Sequence, residues 1–147
     1  KIKDLFFLKL YCYLKLPMIA YCGPKILKSG ADAVEVKISL KRRTKNHLNS
    51  MYFGALSVGA DFTAGLLVLN NLKKHNSNAK LIFKDFQANF IKRALSDVIF
   101  VCDDFKEVEN SVLGNIKSKQ RVNFKVKVQA FCAKDLIADF VLTTSIK

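Results

Sequence analysis

The stretch MYFGALSVGADFTAGLLVLNNLKK, residues 51–74, decides the architecture of this chain. It is too long for one strand, contains no proline, and carries Asp61 as its only charge before Lys73 and Lys74. Asn49 or Ser50 offers an N-cap, and Lys73, Lys74 and His75 suit the negative C-terminal end of a helix. Within the stretch, Gly54, Ala55, Ser57, Gly59, Ala60, Ala64 and Gly65 keep the helix slim. The glycines lower its intrinsic propensity, but small residues let other backbone approach closely. A helix that is apolar on most sides and slim along its length is one meant to be enclosed.

The flanking sequence supplies the enclosure. Upstream, Val34, Val36, Ile38 and Leu40 alternate with Glu35, Lys37, Ser39 and Lys41, the period of a half-buried strand. The polar run RRTKN at 42–46 then reads as a loop. Downstream of an Asn76-Ser77-Asn78 turn, strands are predicted at about 79–91, 97–104, 120–132 and 136–146, the last two joined by a turn at Ala133-Lys134-Asp135. In the third of these, Val122, Phe124, Val126 and Val128 alternate with Asn123, Lys125, Lys127 and Gln129. Residues 105–118 stay open between a short helix and a loop, because Gly114 interrupts the spacing of Phe105, Val108 and Val112. One strand, one long helix and four closely connected strands make a single α+β domain over 1–147, its antiparallel sheet curled round the helix.

Composition narrows the class of partner. The chain has 147 residues, half of them apolar, enough for one ordinary core. Its formal charge of +13 favours anionic partners, and residues 1–48 hold eleven basic against three acidic side chains. Cys12, Cys22, Cys102 and Cys132 form no CxxC pair, and His47 and His75 are the only histidines, so no metal centre or other cofactor is expected. Unpaired thiols suit a reducing, cytoplasmic setting. The opening KIKDLFFLKLYCYLKLP is too short and too charged for a transmembrane segment. Leu5, Leu8, Tyr11 or Cys12, and Leu16 recur instead at helical spacing, giving an amphipathic helix over 1–16 ended by Pro17, read as core packing ahead of membrane-surface binding. With no initiating methionine, the stretch reads as part of a longer product.

Residues 46–56, NHLNSMYFGAL, followed by Asp61 and Gly65, carry a family resemblance. The pattern is similar to hotdog-fold thioesterases of the phenylacetate-pathway type, in which an Asn precedes a His-Gly-Gly-Ala element at the start of the central helix and an acidic residue lies two turns on. Asn46 falls on the family Asn, Gly54 and Ala55 on the second Gly and the Ala, and Asp61 on the acidic residue, whereas Tyr52 and Phe53 stand where His and Gly are usual. Residues 86–94, FQANFIKRA, resemble the strand that follows the helix in these proteins, without its usual proline. The likeness covers roughly 20–147 and is nearest to a thioesterase-like group of unassigned function.

The resemblance implies hydrolysis of an acyl-CoA or acyl-carrier thioester, within fatty acid metabolism, by a homodimer or tetramer. Such chemistry needs the carbonyl oxygen polarised and a water or carboxylate delivered to the carbonyl carbon. The helix N-terminus at Gly54 and Ala55 could do the first and Asp61 the second, with Asn46 as a further catalytic candidate. Asp61 lies about 10 Å along the axis from Gly54, so a site shared between two protomers is expected. Tyr52, Phe53 and Ala55 would line the substrate site, and Arg42, Arg43, Lys92 and Arg93, with Lys45, could meet its phosphates. Each residue also has a plainer account: Asp61 hydrogen-bonding a neighbour, Asn46 in a loop turn, Gly54 small for packing, His47 a surface histidine, the cations solvated. A non-catalytic acyl-CoA or fatty-acyl binder with the same pocket is the alternative. Nucleic acid is not an expected partner, since no recognition motif accompanies the charge.

Overall fold

The computed structural model describes residues 10–147. Helical backbone over 10–15 is followed by α1 (Pro17–Cys22), β1 (Lys25–Ser29), β2 (Val34–Ile38) and a 3-10 turn (Arg42–Thr44). Then come α2 (Phe53–Lys74), β3 (Leu81–Phe90), β4 (Val98–Cys102), α3 (Phe105–Ser118), β5 (Val122–Cys132) and β6 (Asp135–Ile146). The strands form one antiparallel sheet in the order β1-β2-β4-β5-β6-β3.

Alternation along the strands sets which face turns inward. Val34, Val36 and Ile38 of β2, Val98, Phe100 and Cys102 of β4, and Phe124, Val126, Val128 and Ala130 of β5 are all buried, while Lys125, Lys127 and Gln129 between the last set are exposed. Register places large against small: Phe100 lies opposite Ala130, and Phe140 opposite Ala88. Phe100 and Phe140 are fully buried, each contributing on the order of 1.5–3 kcal/mol by leaving water.

α2 lies across this inner face, packed mainly on β2, β4 and β5, and carries the chain from β2 on one side of the sheet to β3 at the far edge. A Cβ at Gly59 would stand 2.2 Å from the Phe100 ring, so the glycine lets helix and sheet approach. By length and composition α2 could cross a membrane, but most of it is buried inside the domain. Its C-terminal half is tied down by Asn71 Nδ2 donating to the carbonyl of Ala31 at 2.9 Å and by Asn70 Nδ2 donating to that of Gly30 at 2.9 Å. Lys74 and His75 both meet Glu109 of α3, at 2.7 and 3.0 Å. The result is the hotdog architecture, a curled antiparallel sheet around one long helix.

Four details differ from the sequence expectations or refine them. Residues 105–118 are helical throughout: Val108 and Val112 are buried, Gly114 faces open space, and Lys119 ends the helix in the left-handed region at φ 54°. β1 is an additional edge strand, mostly exposed, and so without the alternation that burial imposes. The N-cap of α2 is Tyr52 rather than Asn49 or Ser50. Near the N-terminus, Cys12, Ile19 and Cys22 join the core while Leu10, Leu14 and Leu16 stay exposed; Leu5 and Leu8 lie outside the described residues.

Candidate functional site

The loop between the 3-10 turn and α2 is held by one side chain. Asn46 Oδ1 accepts from the backbone N–H of Leu48 at 2.9 Å and of Ser50 at 3.1 Å, and Asn46 Nδ2 donates to Ser50 Oγ at 3.0 Å. The backbone closes the same turn through Asn46 N–H to the Ser50 carbonyl at 2.8 Å, with Asn49 left-handed at φ 60°. Asn46 therefore spends its amide on shaping the loop, as an Asx residue in a turn does. Met51 N–H then donates to the Ala94 carbonyl at 2.9 Å, fastening the loop to the segment that leaves β3. That segment bends back over β6: the N–H groups of Ile91 and Lys92 both reach the Ile137 carbonyl, at 2.9 and 3.1 Å.

Between these two segments lies a cavity of about 430 Å³. Met51, Phe53, Leu56, Phe90 and Ile91 give it apolar walls, and Asn46, His47, Ser50, Lys92 and Arg93 surround them with polar groups. Lys92 also approaches Asp135 at 3.5 Å, an exposed pair worth little on its own. Phe53 is 59% exposed and Tyr52 48%, although both sit at the start of the most buried helix in the fold. Phe53 packs edge-on against Phe90 with ring centroids 6.3 Å apart, and Phe90 meets Phe140 in the same manner at 6.0 Å. A run of aromatic rings thus leads from the cavity into the core.

The N-terminus of α2 opens on this cavity. No side chain caps it and no acidic residue sits in its first turn, so its leading N–H groups and partial positive charge are unclaimed by side chains. Tyr52 lies over this end: a Cβ at Gly54 would meet the tyrosine ring at 2.4 Å. Gly54 is small because Tyr52 folds across it, a different reason from helix–sheet packing. Ala55 is buried one step behind.

Asp61 is half-buried seven residues beyond Gly54, about 10 Å up the axis. Burial pushes its carboxyl above the ordinary carboxylate range, and among the described residues no neighbouring charge or hydrogen bond offsets that cost. Phe53 meets Phe90 at one end of β3, and Gly65 lies beside Phe83 and Leu81 at the other. β3 stands at the edge of the sheet, with no further strand beside it among the described residues.

The fold therefore brings Asn46, His47, Tyr52, Phe53, Lys92 and Arg93 around one cavity, with Gly54 and Ala55 at the adjoining helix end. Asp61 is not among the residues that line it. Nor are Arg42 and Arg43: they form the 3-10 turn, and the Arg43 guanidinium instead lies 6.0 Å from the centre of the Tyr21 ring. Met51, Leu56, Phe90 and Ile91 are lining residues that sequence reasoning did not single out. They fall within the two stretches that carry the family resemblance, but nothing in the pattern named them as site residues.

Comparison with solved structures gives whole-chain likenesses. A Shewanella oneidensis protein with a provisional thioesterase assignment superposes with TM-score 0.84 at 16% identity, covering 99% of this chain and 98% of its own. A Pseudomonas aeruginosa protein of unknown function, also provisionally assigned as a thioesterase, gives TM-score 0.77 at 16% identity over 97% of this chain and 95% of its own. A Haemophilus influenzae protein named as a thioesterase gives 0.70 at 15% identity over 95% and 87%. At such identities the likeness establishes the shared fold. No curated protein matches the chain. The model of the family described as domain of unknown function DUF4442 matches residues 5–142, nearly the full length, and the chain belongs to that family.

Proposed function

We propose that this protein hydrolyses acyl thioesters, carried either by coenzyme A or by an acyl-carrier protein. The observation that carries the reading is the cavity at the α2 N-terminus, apolar inside and ringed by His47, Lys92 and Arg93. An acyl chain suits the Phe53, Leu56, Phe90 and Ile91 walls, and the phosphates of the carrier suit the cationic rim. In this reading the thioester carbonyl points its oxygen at the unclaimed N–H groups near Gly54 and Ala55, where developing negative charge is stabilised. Asp61 takes the proton of a water that attacks the carbonyl carbon, and the thiolate leaves and is protonated; or Asp61 attacks the carbon itself, the thiolate leaves, and water then cleaves the acyl–Asp61 anhydride to free the acid and the carboxylate. A carboxyl raised by burial is a stronger base than an ordinary carboxylate, which suits it to that role.

The separation of about 10 Å between Asp61 and Gly54 favours a two-protomer site. The exposed edge of β3, with half-exposed Phe86 and Phe90 on its inner side, supports antiparallel pairing with a second copy. Such pairing would let Asp61 of one protomer serve the helix N-terminus of its partner. Tyr52 folded over Gly54 favours the second reading, an acyl binder without turnover, because the ring narrows access to the polarising N–H groups.

Release of free thiol from acyl-CoA esters of increasing chain length, for wild type and Asp61→Asn, tests both. Turnover is expected to fall by about 10²–10⁴-fold in the variant. Undiminished hydrolysis by the variant refutes the role of Asp61, and binding of acyl-CoA at about micromolar Kd without any turnover establishes the binder instead.

A further inference from the structure

The helical region 10–22 is apolar on two sides. Cys12, Ile19 and Cys22 are buried against the domain, which is the ordinary amphipathic arrangement. Yet Leu10, Tyr13, Leu14, Met18 and Tyr21, at three- and four-residue spacing, point to solvent, with Tyr13 72%, Met18 67% and Leu14 65% exposed. No acidic residue occurs between 10 and 22. A helix that presents a contiguous row of large apolar side chains to water, beyond those it buries, marks an interaction surface.

Charge decides what covers it. Between residues 10 and 45 the chain carries eight basic and two acidic side chains, and one of the acids, Asp32, is already paired with Lys28 at 3.1 Å. Arg43 lies against the Tyr21 ring, 6.0 Å from its centre, which puts a cation and an interfacial aromatic together at the margin of the row. A second copy docking through this basic face would bring like charges together, so self-association through the 10–22 face is opposed. An anionic partner is favoured. Leucine, methionine and tyrosine flanked by lysine and arginine is the composition of a segment lying in a lipid headgroup region. There the apolar side chains enter the acyl boundary, tyrosine hydroxyls stay at headgroup depth, and cations meet lipid phosphates. Such a surface asks of its partner only apolar depth and negative sign.

We propose that the 10–22 face docks this domain on anionic bilayers, in the membrane plane and without spanning. The 3-10 turn Arg42–Thr44 packs on α1, and the Thr44 carbonyl accepts the Tyr52 N–H at 2.8 Å, so the docking face adjoins the loop that walls the cavity. Docking of this face requires no hydrolysis at the cavity.

Flotation of the full chain with phosphatidylcholine vesicles containing roughly three-tenths phosphatidylglycerol, against vesicles of phosphatidylcholine alone, at about 0.1 M salt, tests it. Binding is expected on the anionic vesicles, weaker by about tenfold or more on neutral ones and at about 0.5 M salt. The double variant L14E/M18E, altering exposed positions only, is expected to lose about tenfold or more in vesicle affinity while keeping the wild-type circular dichroism spectrum and melting temperature. The proposal is overturned by no flotation of a folded wild type with anionic vesicles, by vesicle binding that survives L14E/M18E, or by binding to polyglutamate but not to vesicles, which would mark an acidic protein as the partner. Conversion of an oligomer to monomer by L14E/M18E without any lipid binding would also overturn it, in favour of a second copy.

Discussion

Replacing Asn46 by alanine removes the acceptor for two backbone N–H groups and the partner of the Ser50 hydroxyl. The Leu48 N–H is exposed and water can replace its bond at little cost, but Ser50 is buried and its N–H and hydroxyl are left without that partner. With a net of about 0.5–1.5 kcal/mol for each bond lost in the buried part of the turn, N46A is expected to destabilise the domain by about 1–2 kcal/mol. For a chain of this size that lowers Tm by roughly 2–8 °C. N46D keeps the Oδ1 acceptor and loses only the donation to Ser50 Oγ, so its loss should be distinctly smaller near neutral pH. Urea titration followed by circular dichroism measures both. Because the same loop walls the cavity, N46A should also weaken acyl-CoA binding, and N46D should do so less. If N46A unfolds within about 0.3 kcal/mol of wild type, the turn does not depend on this side chain and the reasoning fails.

Asp61→Asn should be more stable than wild type near neutral pH, since burial disfavours the charged carboxylate in the folded state. The folded protein holds that proton more tightly than the unfolded chain, so wild-type stability declines as pH rises from the unfolded carboxyl range, near about 4, through the folded one. The Tm advantage of D61N should therefore shrink toward acid, and an advantage that grows below about pH 4 would contradict the burial account. Among the glycines, G59A should cost about 1–3 kcal/mol because its Cβ would strike the Phe100 ring. G65A and G114A, whose Cβ would meet ordinary contacts or open space, should gain about 0.5–1 kcal/mol of helix stability. Equal effects in urea melts would show that close approach at Gly59 is not limiting. Cys102 is buried, its thiol pushed up to about 12 and donating to the Lys127 carbonyl at 3.2 Å, while Cys132 is half-buried. A thiol reagent at about pH 8 should label Cys132 first and the other cysteines only on unfolding. Rapid labelling of Cys102 in the native state would refute this.

Periodicity alone determines a large part of this protein. The enclosed helix is legible in its small residues, and β2, β4, β5 and β6 in their alternation, because burial on one face imposes a period the residues must obey. β1 escaped detection because an exposed edge strand obeys no such period, and α3 remained open because a glycine facing solvent looks the same in sequence as one that breaks a helix. Asn46, Tyr52, Phe53, Gly54 and Asp61 could be named from the sequence. Which of them share a cavity could not: that depends on the bend after β3 that carries Lys92 and Arg93 back toward the 46–51 loop, made through backbone bonds to Ile137 and Ala94. The tertiary structure likewise decided that Asn46 shapes the loop, that Tyr52 covers Gly54, and that Arg43 turns to Tyr21. Sequence pattern records which side of an element is buried, because that is a local property. Contacts between segments tens of residues apart arise only when the chain closes on itself.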